Sequence, residues 1–312
     1  MGKYVLKRLL WMIPISLGVA ILVFTLMTFC PGDPAEIILG TTATEENLEA
    51  MREQLGLNDP YLVRLGDYLS DTFLHFDLGE SWTTGVSIAD SIVECLPRTM
   101  TLTVCTLCIA IIIGIPLGVV AAVYQNRWPD KVSMVLALLL VILFSVNLGW
   151  LPAMGIGGIE YYILPAMAGA TNGIATLARQ TRSSMLDVIR SDYITTARAK
   201  GVPEIEVILK HALKNGLIPI ITVIGTQFGK QLGGTMVIET IFAIPGMGQL
   251  IINAVNSRDY PVVQSGSIFL AIVFSLCMLV VDLLYAAVDP RIKAQYSKGK
   301  VRKKAKVVTA NG

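Results

Sequence analysis

Six stretches of the chain are apolar over most or all of a bilayer's thickness: Leu9–Phe29, Thr101–Tyr124, Val132–Leu148, Ile163–Leu177, Leu217–Ile238 and Ser265–Val288. A membrane-crossing helix needs about 20 such residues, because the hydrocarbon layer is about 30 Å thick and each helical residue rises about 1.5 Å. The second and sixth runs are the clearest, and the third and fourth are short. Only helices or closed barrels satisfy backbone polar groups in lipid. The runs are continuous rather than alternating, which excludes a barrel. The pattern predicts an all-α membrane protein with six spans.

Two polar stretches between the runs are too long for plain connections. In Pro31–Arg98, turn and cap signals (Pro31-Gly32-Asp33-Pro34, Thr44-Glu45-Glu46) precede Leu48, Met51 and Leu55 at helical spacing, and Gly56 closes that helix. A second amphipathic stretch follows, with Tyr61, Leu65, Tyr68, Leu69 and Phe73. This segment reads as a small helical cap, either a decorated loop or a docking surface. In Ala178–Gly216, Asp192 can cap a short helix over Tyr193–Lys200, Gly201 suits its stop, and Pro203 suits the start of the next helix. A short helix between two turns has the geometry of a plug for a partner's groove.

Charge sets the direction of each crossing. Lys3, Lys7 and Arg8 precede the first run, while Pro31–Arg98 carries thirteen Asp and Glu against Arg52, Arg64 and Arg98. Gln125–Lys131 is basic, Gly149–Tyr162 has no Lys or Arg, Ala178–Gly216 is rich in both, and Glu239–Gln264 has only Arg258. The tail after Asp289 ends in Arg302-Lys303-Lys304-Ala305-Lys306. Basic loops stay in the cytoplasm, so the loops alternate in, out, in, out, in, out, in. Both termini are expected inside, with an even number of spans. The first run exceeds a signal peptide's core of about 7–15 residues and no small-x-small site follows it, so it reads as a retained anchor. The basic tail reads as a lipid anchor rather than a nucleic-acid site.

Composition agrees: 54% of residues are hydrophobic and 15% charged, against roughly 25% charged in soluble proteins. Cys105-x-x-Cys108 lies in an apolar run without nearby His, so these read as buried apolar cysteines. Cys30 and Cys95 flank one segment, and nothing in the sequence decides whether they pair. Within the spans, Gln227 and Lys230 of the fifth run read as lining a pathway or meeting a partner in a companion subunit, because such groups are costly in lipid. Asp282 of the sixth run sits about 14 Å away in depth at 1.5 Å per residue, too far to pair with Lys230. Gly225–Gln231 only loosely resembles a phosphate-binding loop. It has three residues between its glycines, lacks Ser or Thr after Lys, and lies in a membrane helix.

The motifs match a known family. "TTARAKG" at Thr195–Gly201 and "HALKNGLIP" at His211–Pro219 resemble the cytoplasmic loop of binding-protein-dependent ABC importer permeases. The match is closest to the first, B-type subunit of the dipeptide, oligopeptide and nickel branch. "PGDP" at Pro31–Pro34, "LGLNDP" at Leu55–Pro60, "DLGESW" at Asp77–Trp82, "LPRTMTLT" at Leu96–Thr103 and "GIPLGV" at Gly114–Val119 resemble that branch in order. So do "ETIFAIPGMGQL" at Glu239–Leu250, "RDYPVVQ" at Arg258–Gln264 and "DLLYAAVDPRI" at Asp282–Ile292.

The resemblance implies a type I (MetI-like) permease fold of six transmembrane helices with an extracytoplasmic helical insert after the first span. Its divisions would be an anchor span (1–30), the insert (31–98), a permease core (99–289) holding the cytoplasmic loop 178–216, and a basic tail (290–312). It further implies that Asp192, Tyr193, Thr196, Ala197, Arg198, Ala199, Lys200 and Gly201 couple to an ATPase, and that Glu239, Pro245, Gly246 and Gly248 form a turn at the pathway's mouth. Expected partners are a homologous second permease, one or two ATP-binding cassette subunits, an extracytoplasmic binding protein and the bilayer of a bacterial inner membrane, with no nucleic acid. The chain would bind no cofactor itself, with ATP and magnesium held by the partner ATPase. The solute would be a di- or oligopeptide or a related small solute such as a nickel chelate. The third region departs from the pattern, being roughly ten to fifteen residues short and leaving about 25 Å of helix.

Two other classes compete. An ion-coupled secondary transporter predicts carboxylates near the midplane, which only Asp282 approaches. A membrane-embedded enzyme predicts clustered His, Asp or Glu in the spans, yet the only histidines are His75 and His211, both outside them.

Overall fold

The computed structural model describes residues 2–40, 43–124 and 157–288. The third apolar run (132–148), the loop before it and the basic tail (290–312) lie outside the described residues. Among those described, helix is the only regular structure apart from one antiparallel bridge between Glu80 and Ser87.

The helices in chain order are α1 (Gly2–Phe29), α2 (Pro34–Leu39), α3 (Glu45–Gln54), α4 (Tyr61–Ser70), α5 (Ile88–Val123), α6 (Glu160–Ile189), α7 (Asp192–Ala199), α8 (Glu204–Ile241), α9 (Met247–Asn256) and α10 (Tyr260–Val288). Four contain stretches long and apolar enough to cross a bilayer: Val5–Phe29, Ile88–Val123, Glu204–Ile241 and Tyr260–Leu283. They carry the first, second, fifth and sixth runs. The fourth run occupies the first half of α6, whose 30 residues reach about 45 Å and continue past any hydrocarbon layer as a polar extension. The expected boundary at 98/99 falls inside α5, which starts at Ile88 because an amphipathic turn with the Glu94–Arg98 pair (2.9 Å) precedes its apolar run.

Local signals explain most helix ends. Asp33 caps α2, accepting from the Ala35 N–H (2.9 Å), with Pro34 at the first helical position. Arg52 ties α3 back to that cap through Asp33 (2.7 Å) and binds Glu45 and Glu49 as well, so its guanidinium is held still more firmly protonated. Gly56 and Gly201, both at positive φ, end α3 and α7. Two caps differ from expectation. Thr44 makes no side-chain capping bond. At α7 the cap position is held by Ser191, whose hydroxyl donates back to the Val188 carbonyl (2.5 Å) instead of capping, and Asp192 lies inside the first turn. A carboxylate in the first turn is favoured by the helix's positive end without closing it.

The described residues fall into two compact units. The first holds 2–40, 43–105, 157–166 and 231–276. Its core gathers Met27, Ile88, Ile92, Met247, Ile251 and Val263, so α1, α5, α9 and α10 converge there. Phe24 of α1 stacks on Tyr68 and meets Tyr61 edge-on, which seats α4 against the first span. Three consecutive residues at the start of α10 then hold the insert. Arg258 donates to Cys30 Sγ and the Pro31 carbonyl. Asp259, 2% exposed, accepts from Ser81 Oγ (2.5 Å), Thr83 Oγ1 (2.8 Å) and the Trp82 and Thr83 N–H groups. Tyr260 packs on Trp82, with ring centroids 5.5 Å apart. Cys30 and Cys95 are both free thiols.

Of the described residues, the second unit holds 106–124, 167–230 and 277–288. Here α5 and α6 touch backbone to backbone. A Cβ on Gly118 would lie 2.5 Å from Thr181 Cβ and 2.6 Å from the Ala178 carbonyl, and one on Gly114 would lie 2.9 Å from Leu177 Cβ. Glycines four apart share one helix face, and such small-residue faces let membrane helices approach closely. Ala110, Ala170, Ile174, Leu177 and Ile220 complete this core. Cys108 is exposed rather than buried. In a membrane helix a lipid-facing position is as apolar as an interior one, so the apolar run alone could not distinguish them.

Candidate functional sites

The turn Phe242–Gly246 between α8 and α9, in the first unit, is held by buried polar groups. Glu239, at the end of α8, is 0% exposed. Its Oε1 accepts from Thr99 Oγ1 of α5 (2.7 Å), and its Oε2 accepts from the N–H groups of Gly248 (2.8 Å) and Gln249 (3.1 Å). Those are first-turn amides of α9, which have no partner within their own helix and favour a negative charge. Thr99 Oγ1 also accepts from the Met247 N–H (2.8 Å), and Arg98 Nη1 donates to the Pro245 carbonyl (3.1 Å). Gly246 and Gly248 stand too close to their neighbours to carry a side chain without a shift. A Cβ at Gly246 would meet the Glu239 carboxyl at 2.5 Å, and one at Gly248 would meet Met236 Cα at 2.5 Å. Glu239, Pro245, Gly246 and Gly248 therefore form one constellation, completed by Arg98 and Thr99. Sequence reasoning missed those two, although a polar pair opening an apolar run was their visible signal.

The loop 178–216 lies in the second unit. α7 seats Ile194 (0% exposed) and the half-buried Ala197 on Ala122, Met185, Val207, Ile208 and Ala212. Asp192, Tyr193, Thr196, Arg198, Ala199, Lys200 and Gly201 remain exposed. Two braces fix this short helix. Arg198 forks onto Glu204 at the start of α8 (Nε–Oε2 3.0 Å, Nη2–Oε1 2.7 Å), and that carboxylate raises the guanidinium's pKa further. Asn215 Nδ2 donates to the Tyr193 hydroxyl (3.0 Å). Ser184 Oγ donates to the Gly216 carbonyl (2.7 Å), joining α6 to α8. The Thr196 hydroxyl is used within the helix, on the Asp192 carbonyl. Sequence reasoning missed Ile194, Glu204 and Asn215. Ile194 was discernible as the one large aliphatic residue between Ser191 and Gly201. Also in this unit, Gln227 is half-buried, its Nε2 3.6 Å from where a Gly173 Cβ would sit, and Lys230 is exposed.

Residues 1–103 match the family described as "Binding-prot-dependent transport system membrane comp, N-term", and residues 114–294 match "Binding-protein-dependent transport system inner membrane component". The chain belongs to this family. It is 43% identical over 305 residues to the glutathione transport system permease protein GsiC of Escherichia coli O6:H1, spanning 94% of this chain and 99% of that relative. The proteins of the same name from Escherichia coli K12 and Salmonella typhi are 42% and 43% identical over the same spans. The chain is thus an all-α, multi-pass permease of an ABC importer, and it is not itself an enzyme: the importer's ATPase is a separate subunit. Since 94% of 312 residues is about 293, the 305 aligned positions include about a dozen without a counterpart here.

Proposed function

We propose that this chain is one of two homologous permease subunits that form the path of an ATP-driven importer for a short peptide of the glutathione class. The observation that carries this is α7: a short helix whose family-motif face is exposed while two side-chain braces and one buried isoleucine hold it rigid. Such a helix suits a groove on an ATP-binding cassette subunit. One or two of these would hold ATP and magnesium, leaving this chain without a cofactor. Asp192, Tyr193, Thr196, Ala197, Arg198, Ala199, Lys200 and Gly201 then carry the coupling. Glu239, Pro245, Gly246 and Gly248 shape the gate turn, and Gln227 and Lys230 line the path. The alternation of basic loops supports an orientation with both termini in the cytoplasm of a bacterial inner membrane and the insert (31–98) outside, where a solute-binding protein delivers the cargo.

The test is reconstitution of the full complex in liposomes with a glutathione-loaded binding protein. Uptake should require ATP and the ATPase subunits. Replacing Arg198–Gly201 by a flexible Gly-Ser segment should abolish uptake while the permeases still assemble. ATP-independent uptake driven by an ion gradient would instead mark a secondary transporter.

A further inference from the structure

A cavity of about 310 Å³ opens in the first unit between the outer end of α1, the insert and the start of α10. Phe24, Tyr68, Trp82 and Tyr260 give it aromatic lining. Asp59, Asp67, Asp71 and Asp77 also line it, and all four are exposed. Its one cationic lining residue, Arg64, lies with its guanidinium carbon 5.8 Å from the Phe24 ring centroid, so the aromatic lining already accommodates one guanidinium. Among the described residues, Asp59 and Asp67 make no ion pair, Asp71 meets only His75 (3.4 Å), and Asp77 accepts from the Gly79 N–H (2.8 Å). The Tyr68 hydroxyl is buried without a hydrogen bond of good geometry, and burial pushes its pKa up.

Four carboxylates against one guanidinium leave an unbalanced negative charge beside aromatic faces. That combination suits a planar guanidinium, which stacks on rings and forks onto carboxylates, better than the compact, strongly hydrated ammonium of lysine. The surrounding surface indicates where such a group comes from. The whole insert is acidic, thirteen Asp and Glu against three Arg, so its field extends well beyond one cavity. Phe76, beside Asp77 and held at positive φ, is 83% exposed. A broad field and an exposed ring next to a socket fit a macromolecular face rather than a free cation.

We infer that this cavity is a socket for an arginine side chain on the face of the solute-binding protein that docks on the insert. The inference rests on the importer reading. Asp259, with its four hydrogen bonds to the Ser81–Thr83 loop, ties the socket's Trp82 side to α10 and keeps it shaped without an occupant.

The experiment measures uptake by the whole complex in liposomes as the concentration of glutathione-loaded binding protein is varied. Asp59→Lys and Asp67→Lys should each raise the half-saturating concentration about tenfold with little change in maximal rate. Glu46→Lys and Glu53→Lys, the same charge change at exposed insert positions outside the cavity, should shift it less than twofold. The milder Asp59→Asn and Asp67→Asn should flatten the dependence of half-saturation on added salt. Equal shifts at cavity and control positions would reduce the effect to general charge and overturn the socket, as would unchanged half-saturation in both lysine variants. Binding of the purified binding protein to the complex in lipid nanodiscs, measured without ATP, keeps the two claims separate. A wild-type complex without ATP-driven uptake refutes the importer reading, whereas binding insensitive to Asp59→Lys and Asp67→Lys refutes the socket.

Discussion

Replacing Glu239 by alanine removes the acceptor shared by Thr99 Oγ1 and the N–H groups of Gly248 and Gln249, at a position with no solvent exposure. A hydrogen bond to a charged acceptor contributes about 1.5–3 kcal/mol net, and a stranded buried donor costs about 1–3 kcal/mol. The Thr99 hydroxyl can rotate toward another acceptor, but the two amides are fixed by α9 and cannot. The first turn of α9 should therefore lose about 3–5 kcal/mol of local stability by the same accounting. At about 1.4 kcal/mol per decade, hydrogen exchange at Gly248 and Gln249 should speed up by about two to three and a half orders of magnitude. Thr99→Val strands the Met247 N–H and takes the hydroxyl donor from Glu239 Oε1, and its effect should combine non-additively with Glu239→Ala, because the two side chains share a bond. Glu239→Gln, which keeps one oxygen acceptor, should fall between wild type and alanine. The assay is exchange followed by mass spectrometry on the complex in nanodiscs, read on a peptide covering 245–252. Exchange within threefold of wild type in Glu239→Ala would refute the claim that this carboxylate holds the turn.

At the other site, Arg198→Lys and Glu204→Gln should leave folding nearly untouched, since a pair this exposed contributes about 0–1 kcal/mol. Both should lower solute imported per ATP hydrolysed, as measured in proteoliposomes. Gly118→Ala should cut the yield of assembled permease and cost about 1–3 kcal/mol through overpacking against Thr181 and Ala178. Gly18→Ala, with open space around its site, should not; size-exclusion profiles of the solubilised protein compare them. Asp259→Asn keeps the shape but loses the charge that gathers four donors, so limited proteolysis within residues 77–88 should accelerate severalfold.

The spans and the ends of several helices were legible because their causes are local. A run of apolar residues, a proline at a first turn, or a glycine at positive φ such as Gly56 or Gly201 can be read within a few positions. Exchanging Asp192 for Ser191 as the cap is an error of one residue, typical where two capping residues adjoin. The tethers were not legible. Thr99 and Glu239 stand 140 positions apart, and Ser81 and Asp259 stand 178 apart. Nothing in either local sequence names the partner. What local sequence did offer was isolation: a polar residue at the edge of an apolar helix must find a partner inside the protein. Glu239, noted only as part of a motif, was such a residue, and so was Asp259.

The two candidate sites share one physical logic. Each takes a short helix that could not be stable alone, α7 with 8 residues and α9 with 10, and adds polar side-chain braces to the apolar residues that seat it on longer neighbours. For α7 the brace is one buried isoleucine, one guanidinium fork and one amide-to-hydroxyl bond. For α9 it is one carboxylate and one hydroxyl beside the buried Met247, Ile251 and Ala254. A helix held at a few points keeps its exposed face free while moving with the elements that hold it. A displacement of α7 is passed through Glu204 and Asn215 to the first part of α8. On the importer reading, this lets an ATPase deliver a displacement, not merely a contact, to a membrane-spanning helix. It also makes the Arg198–Glu204 fork matter more for coupling than its small contribution to stability would suggest.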